Sequence, residues 1–173
     1  MNTRDFAGVM ATLGSELALG VPATAKGSYM LNLGDPGLVA SLEKLSAAQA
    51  SSTHAGGASI AAHVDHVRYG AALLNQWLGG AEAPWKNTDW TASWKKNVVS
   101  EAEWRSLRDD LRRELTAWVD AMREPRELNE RELGWLTGSI AHLGYHFGAI
   151  RQIDRAARGP TAEDEERFKA AAT

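Results

Sequence analysis

Apolar residues recur every three to four positions along four long stretches of this chain, separated by segments rich in Gly, Pro and Trp. Phe6, Val9, Met10, Leu13 and Leu17 share one helical face, and Thr3 can cap it, which predicts a first helix over residues 3–19. Ile60, Val64, Val67, Ala71, Leu74 and Leu78 predict a second, from Ser59 to about Leu78. Ser100 with Glu103 forms a capping-box pattern that opens a third, to about Met122, with Trp104, Leu107, Leu111, Leu115 and Trp118 on its apolar side. Asn129 with Glu132 opens a fourth, to about Ala157, whose stripe is Leu133, Leu136, Ile140, Leu143, Phe147 and Ile150.

Shorter elements fill the gaps. Asp35-Pro36 reads as an N-cap followed by a first-turn proline, starting a short helix to about Ala48. Gly159-Pro160 stops the fourth long helix, and Thr161 caps a short polar one. No stretch alternates with period two long enough for a strand. The expected fold class is all-α, a four-helix bundle with short extra helices, built as a single domain over residues 1–173. The connections after the first two long helices are long, so simple up-down-up-down order is not required.

The histidines interrupt this pattern. His63 and His66 lie three apart on the second long helix, and His142 and His146 lie four apart on the fourth. Both spacings put two rings on one face. Each pair lies on a stripe beside the main apolar one: His63, His66, Gly70, Leu73, Trp77 on one helix, and Trp135, Ser139, His142, His146, Ala149, Ile153 on the other. Bundle interiors are where facing helices build metal sites. The competing reading is four satisfied core histidines with no joint role. His54 falls in a loop and takes no role.

Composition narrows the chemistry. The chain has no cysteine, so a metal would rest on His, Asp or Glu, and there is no disulfide framework. Imidazole suits Zn, Ni, Fe and Cu, and a histidine-only set with a free position resembles a catalytic site more than a closed structural one. A net charge of −3 gives no reason to expect nucleic acid as a partner. No apolar run approaches a membrane span, and "MNTRDFAGVM" lacks the build of a signal peptide, so the expected location is cytoplasmic. Leu143 follows His142 and Val64 follows His63, where a zincin needs Glu. There is no nucleophile-elbow or phosphate-loop motif, and no single carboxylate stands out as a general base. Asp65, Tyr69, Tyr145 and Arg151 are the polar neighbours that could orient a substrate. Seven tryptophans are many for this length. Trp85, Trp90 and Trp94 lie in one connection, which packs over the bundle, roofs a pocket, or forms the interface of a homodimer.

The segments "SIAAHVDHVRYGAALL" and "HLGYHFGAI", in this order and separated by a long helix, resemble the DinB/YfiT-like superfamily of metal-binding four-helix bundles. The resemblance implies a divalent metal (Zn, Ni or Fe) on His66, His142 and His146. His66 is favoured because it lies seven residues after Ser59; His63 is then an outer partner or a fourth ligand, and in another register the two exchange roles. Ala58 stands where the family has Trp, and Ala149 where it has Gln. Neither change removes a ligand, and both alter the pocket. The implied function is a metal-dependent enzyme acting on a small-molecule substrate, as a thiol-dependent transferase or isomerase using a low-molecular-weight thiol, or as a hydrolase. The alternative is a non-catalytic, stress-associated bundle that binds a ligand or dimerises.

Overall fold

Side-chain caps set where three of the four long helices begin in the computed structural model, which describes residues 3–171. All its regular structure is helical: α1 (Thr3–Leu19), α2 (Gly37–Glu43), α3 (Ala47–Ala50), α4 (Ile60–Leu78), α5 (Glu101–Met122), α6 (Glu130–Ile153) and α7 (Ala162–Ala171), with 3₁₀ turns at Ala92–Trp94 and Arg155–Ala157. No strand occurs among the described residues. Ser59 accepts from the Ala62 N–H at the start of α4. Ser100 with Glu103, and Asn129 with Glu132, form reciprocal capping boxes at the starts of α5 and α6. Such caps satisfy amide donors that the first helical turn leaves without partners.

The four long helices close a ring of contacts: α5 packs on α4 and α1, and α6 packs on α1 and α4. Trp104, Trp118, Phe147, Leu111, Leu115, Ile60 and Ile150 are fully buried between them. The Trp104 indole N–H donates to the Leu45 carbonyl at 2.8 Å, so the largest core side chain also secures the segment before α3. No helix among the described residues is long and apolar enough to cross a membrane.

Two boundaries differ from the sequence expectation. The short helix expected from Asp35-Pro36 to about Ala48 is split into α2 and α3. Ser46 takes an extended backbone (ψ 164°) and forms its own capping box with Gln49, which restarts the helix at Ala47. The N-cap is Pro36 rather than Asp35, and no side chain among the described residues caps α2; Asp35 sits one residue further out, where its Oδ1 accepts from the Gly37 N–H at 2.9 Å. At the other end, α6 stops at Ile153 rather than near Ala157. Asp154 is extended (φ −133°) and caps the following 3₁₀ turn by accepting from Ala156 N–H.

The long connection between α1 and α2 is anchored at three places. The Glu16 carboxylate, 7% exposed, accepts from the Tyr29 and Met30 N–H groups at 2.9 and 2.7 Å. Asp35 forms an ion pair with Arg151 of α6 at 2.7 Å. Gly20 and Gly37, with φ of 93° and 70°, let the end of α1 and the start of α2 meet backbone to backbone, where a side chain on either would collide.

Candidate metal centre

Helices α4 and α6 bring the two histidine pairs together. On α4, His63 and His66 are both buried, and on α6 His146 is 1% exposed while His142 keeps an edge in solvent. The His146 Nε2 lies 2.9 Å from the His142 Nε2, which lies 3.2 Å from the His66 Nε2. His66, His142 and His146 thus offer three imidazole nitrogens close enough together to hold one metal ion. Imidazole nitrogens held at about 2.0–2.1 Å from one cation sit roughly 2.9–3.4 Å from each other, between right-angled and tetrahedral arrangements. The two observed spacings fall in that range.

The outer partner of His66 fixes which of its nitrogens carries the proton. His66 Nδ1 is 2.8 Å from the Ser93 Oγ, and that hydroxyl donates its own proton to the Trp90 carbonyl at 2.7 Å. Ser93 therefore accepts from His66 Nδ1–H, and His66 Nε2 keeps a free lone pair. His146 Nδ1 is 2.8 Å from His63 Nδ1. With Nδ1–H of His146 donating to His63, the His146 Nε2 lone pair also points inward. Metal-binding histidines carry this second hydrogen bond as a rule, because it orients the ring and raises its basicity. With all four rings neutral, the network closes only if His142 Nε2–H donates to both neighbours; a metal ion held by the three nitrogens would take the place of that one proton.

Electrostatics favour the neutral rings that a metal requires. Burial, followed by the neighbouring His142, His63 and His66, pushes His146 down to about 3. Burial, followed by His142 and His63, pushes His66 down to about 4 against a small upward pull from Asp65. Burial also lowers His63 and His142 from their ordinary value. At neutral pH all four are therefore uncharged bases.

The tryptophan-rich connection covers this cluster. Trp94 stacks on the His66 ring with centroids 4.3 Å apart and planes 23° from parallel, and it meets His63 edge-on at 5.4 Å. The 3₁₀ turn Ala92–Trp94 that carries it also carries Ser93, so one turn supplies both the lid of the site and the acceptor for His66. Further along, Trp85 meets Trp135 at 4.4 Å, and Trp135 meets Trp77 at 5.6 Å. A cavity of about 580 Å³ lies between α4, α5, α6 and the connection's Trp85 and Trp90, and His66 and His142 form part of its wall. The three-nitrogen cluster and the cavity thus share two residues.

Each residue singled out in the sequence now has a place. His66, His142 and His146 come together, and His63 stands behind His146 rather than among the three. His54 is exposed in its loop, away from the described network. Asp65 is held by Arg68 at 2.8 Å, and Arg151 is held by Asp35 with its guanidinium over the Phe147 ring, so neither is available to a substrate. Tyr69 meets Trp90 edge-on at 5.7 Å, and the exposed Tyr145 meets His146 edge-on at 5.0 Å. Ser93 was not visible as a functional residue in the sequence. It lies in an irregular segment where no periodicity assigns a direction to a side chain.

Comparison of the chain with family models, with curated proteins and with solved structures gave no match.

Proposed function

We propose that this chain is a DinB/YfiT-like four-helix bundle that binds one divalent cation through the Nε2 atoms of His66, His142 and His146 and acts as a metal-dependent enzyme on a small molecule. The observation that carries the reading is the convergence of three Nε2 atoms from two helices, two of them with their other nitrogen already committed to Ser93 or His63. A cation held there supplies Lewis-acid activation of a water, a thiol or a carbonyl on its free side.

The chain's own residues set the conditions for that chemistry. Ser93 holds His66 in the ligating tautomer, and His63 as acceptor does the same for His146. Trp94 shields the buried side of the cluster from water. His142, the exposed member, leaves the approach open toward the cavity. Zn, Ni and Fe all suit a set of three imidazoles. A thiol substrate or cosubstrate would meet no protein cysteine that could compete for the metal. Transferase, isomerase and hydrolase chemistry all fit a centre of this kind.

One observation favours a second reading. No Asp or Glu lines the cavity, so a carboxylate general base is missing. A non-catalytic, ligand-binding bundle would have no need of one. Homodimerisation and a cytoplasmic location belong to this proposal as well, the former testable by light scattering.

The test is metal analysis of purified protein, with and without added zinc, beside a His142→Ala/His146→Ala variant. About one equivalent of metal in the wild type and almost none in the folded variant is the expected result. Equal and negligible metal in both would leave the second reading in place.

A further inference from the structure

The cavity beside the histidines carries information about what it takes. Its wall contains no Lys, Arg, Asp or Glu; the polar side chains are His66, His142 and Ser139, apart from the indole N–H groups. The Ser139 hydroxyl is already spent, donating to the Leu136 carbonyl at 2.7 Å. An ion entering this space would meet no counter-charge in return for the hydration it loses.

Three glycines keep the space open. Gly70 faces it from α4, and Gly134 and Gly138, four apart on one face of α6, from the other side. A Cβ added at any of the three would meet nothing within 4 Å. Glycine inside a helix is destabilising relative to Ala. The usual return, close approach of a neighbouring helix, is absent at all three positions. What these glycines provide is volume, on two helices, at the mouth of one cavity.

A second feature points to an occupant. Trp118 belongs to the wall, is 1% exposed, and its buried indole N–H has no hydrogen-bond partner. Most buried donors in folded proteins are paired, by protein, water or a ligand, and of the four buried side-chain atoms without a partner among the described residues only the Trp118 N–H belongs to this wall. Trp85 and Trp135, meeting at 69°, add flat apolar surfaces that suit the face and edge of an aromatic ring.

We infer that the cavity takes an uncharged aromatic compound carrying one oxygen or sulfur donor, with its rings among the tryptophans, where a ring face receives the Trp118 indole N–H, and its donor atom toward His66 and His142. This rests on the proposed metal site for the role of the donor atom, and not for the apolar rings. It also narrows the thiol chemistry, because a charged hydrophilic thiol would leave its ions without partners here.

The test uses the full chain, metal-stripped and cobalt(II)-loaded. The resolved indole N–H signals of metal-stripped protein are followed by NMR on titration with 2-naphthol and with naphthalene-2-sulfonate, which share a ring system and differ in charge. Saturable shifts of the Trp85, Trp118 and Trp135 signals by 2-naphthol, with affinity at least about tenfold above the sulfonate, are expected from the ionic desolvation cost. Gly138→Leu and Gly70→Leu, which fill the space from opposite helices, are each expected to weaken 2-naphthol binding by about tenfold or more while leaving cobalt binding intact. Naphthalene-2-thiol added to cobalt-loaded protein is expected to give a thiolate-to-cobalt absorption band. Equal affinity for the sulfonate, no binding of 2-naphthol to wild type, or wild-type binding in both folded glycine variants would overturn the inference. Cobalt binding separates the two ideas. Cobalt without 2-naphthol binding sinks the ligand class and leaves the metal site standing; 2-naphthol without cobalt binding does the reverse.

Discussion

Replacing Ser93 by Ala removes a hydroxyl that touches no metal, yet the geometry makes it decisive. Its Oγ accepts from His66 Nδ1 at 2.8 Å and donates to the Trp90 carbonyl at 2.7 Å, in a side chain only 6% exposed. The Ala variant frees His66 to take the other tautomer, with its proton on the nitrogen that faces His142 and His146. It also unpins the connection that holds Trp94 against the ring. Loss of an outer partner of a metal-bound histidine costs about 10–100-fold in metal affinity. That corresponds to about 1.4–2.8 kcal/mol. Two neutral hydrogen bonds at about 1 kcal/mol each also predict a metal-free protein less stable by about 2 kcal/mol. Competition titration against a chromophoric chelator, with zinc or cobalt, reads the affinity. Urea unfolding of the metal-free protein reads the stability. Unchanged affinity in a destabilised Ser93→Ala protein would refute the argument, because it would show that the hydroxyl supports the connection but not the ring.

Other expectations follow from the same structure. His66 and His146 titrate near 4 and 3 in the fold against an ordinary value of 6.5, so the unfolded chain binds more protons between those limits. The stability they contribute is complete above pH 6.5 and is lost as pH falls toward 3. Urea midpoints of metal-free protein at pH 7, 5 and 4 should decline in that order, and decline less when His146 is replaced by Phe. Glu16→Ala removes the acceptor for the Tyr29 and Met30 amides, and should cost about 2 kcal/mol with faster hydrogen exchange at those two amides; unchanged exchange would contradict the anchoring role. Gly138→Ala places a methyl in open space on a helix and should raise stability by about 1 kcal/mol, measured by thermal unfolding.

The helices were readable where local chemistry decides them. Ser59, Ser100 and Asn129 mark the starts of α4, α5 and α6 because a capping side chain and the amides it serves lie within one turn. The break between α2 and α3 was missed although Ser46 and Gln49 carry the same signature, because the apolar spacing runs through it without interruption. At the site, the i, i+3 and i, i+4 spacings identified the faces but could not rank His63 against His66. Both rings point the same way from α4. Their roles separate only through their partners, His146 Nδ1 for one and Ser93 with His142 for the other, and these lie 27 to 83 residues away. The place of the tryptophans is non-local in the same sense. The sequence offered a cover, a pocket roof or an interface, and stacking of Trp94 on His66 depends on how a connection without regular structure folds back.

X-ray absorption at the zinc edge of zinc-loaded protein addresses the central claim most directly. Three imidazole nitrogens at about 2.0–2.1 Å, with a further light-atom ligand in the remaining position, is the predicted first shell, and folded His142→Ala/His146→Ala protein, washed of unbound zinc, should keep no such three-imidazole shell. A shell of two or fewer imidazoles in the wild type, or one unchanged by that double substitution, would contradict it.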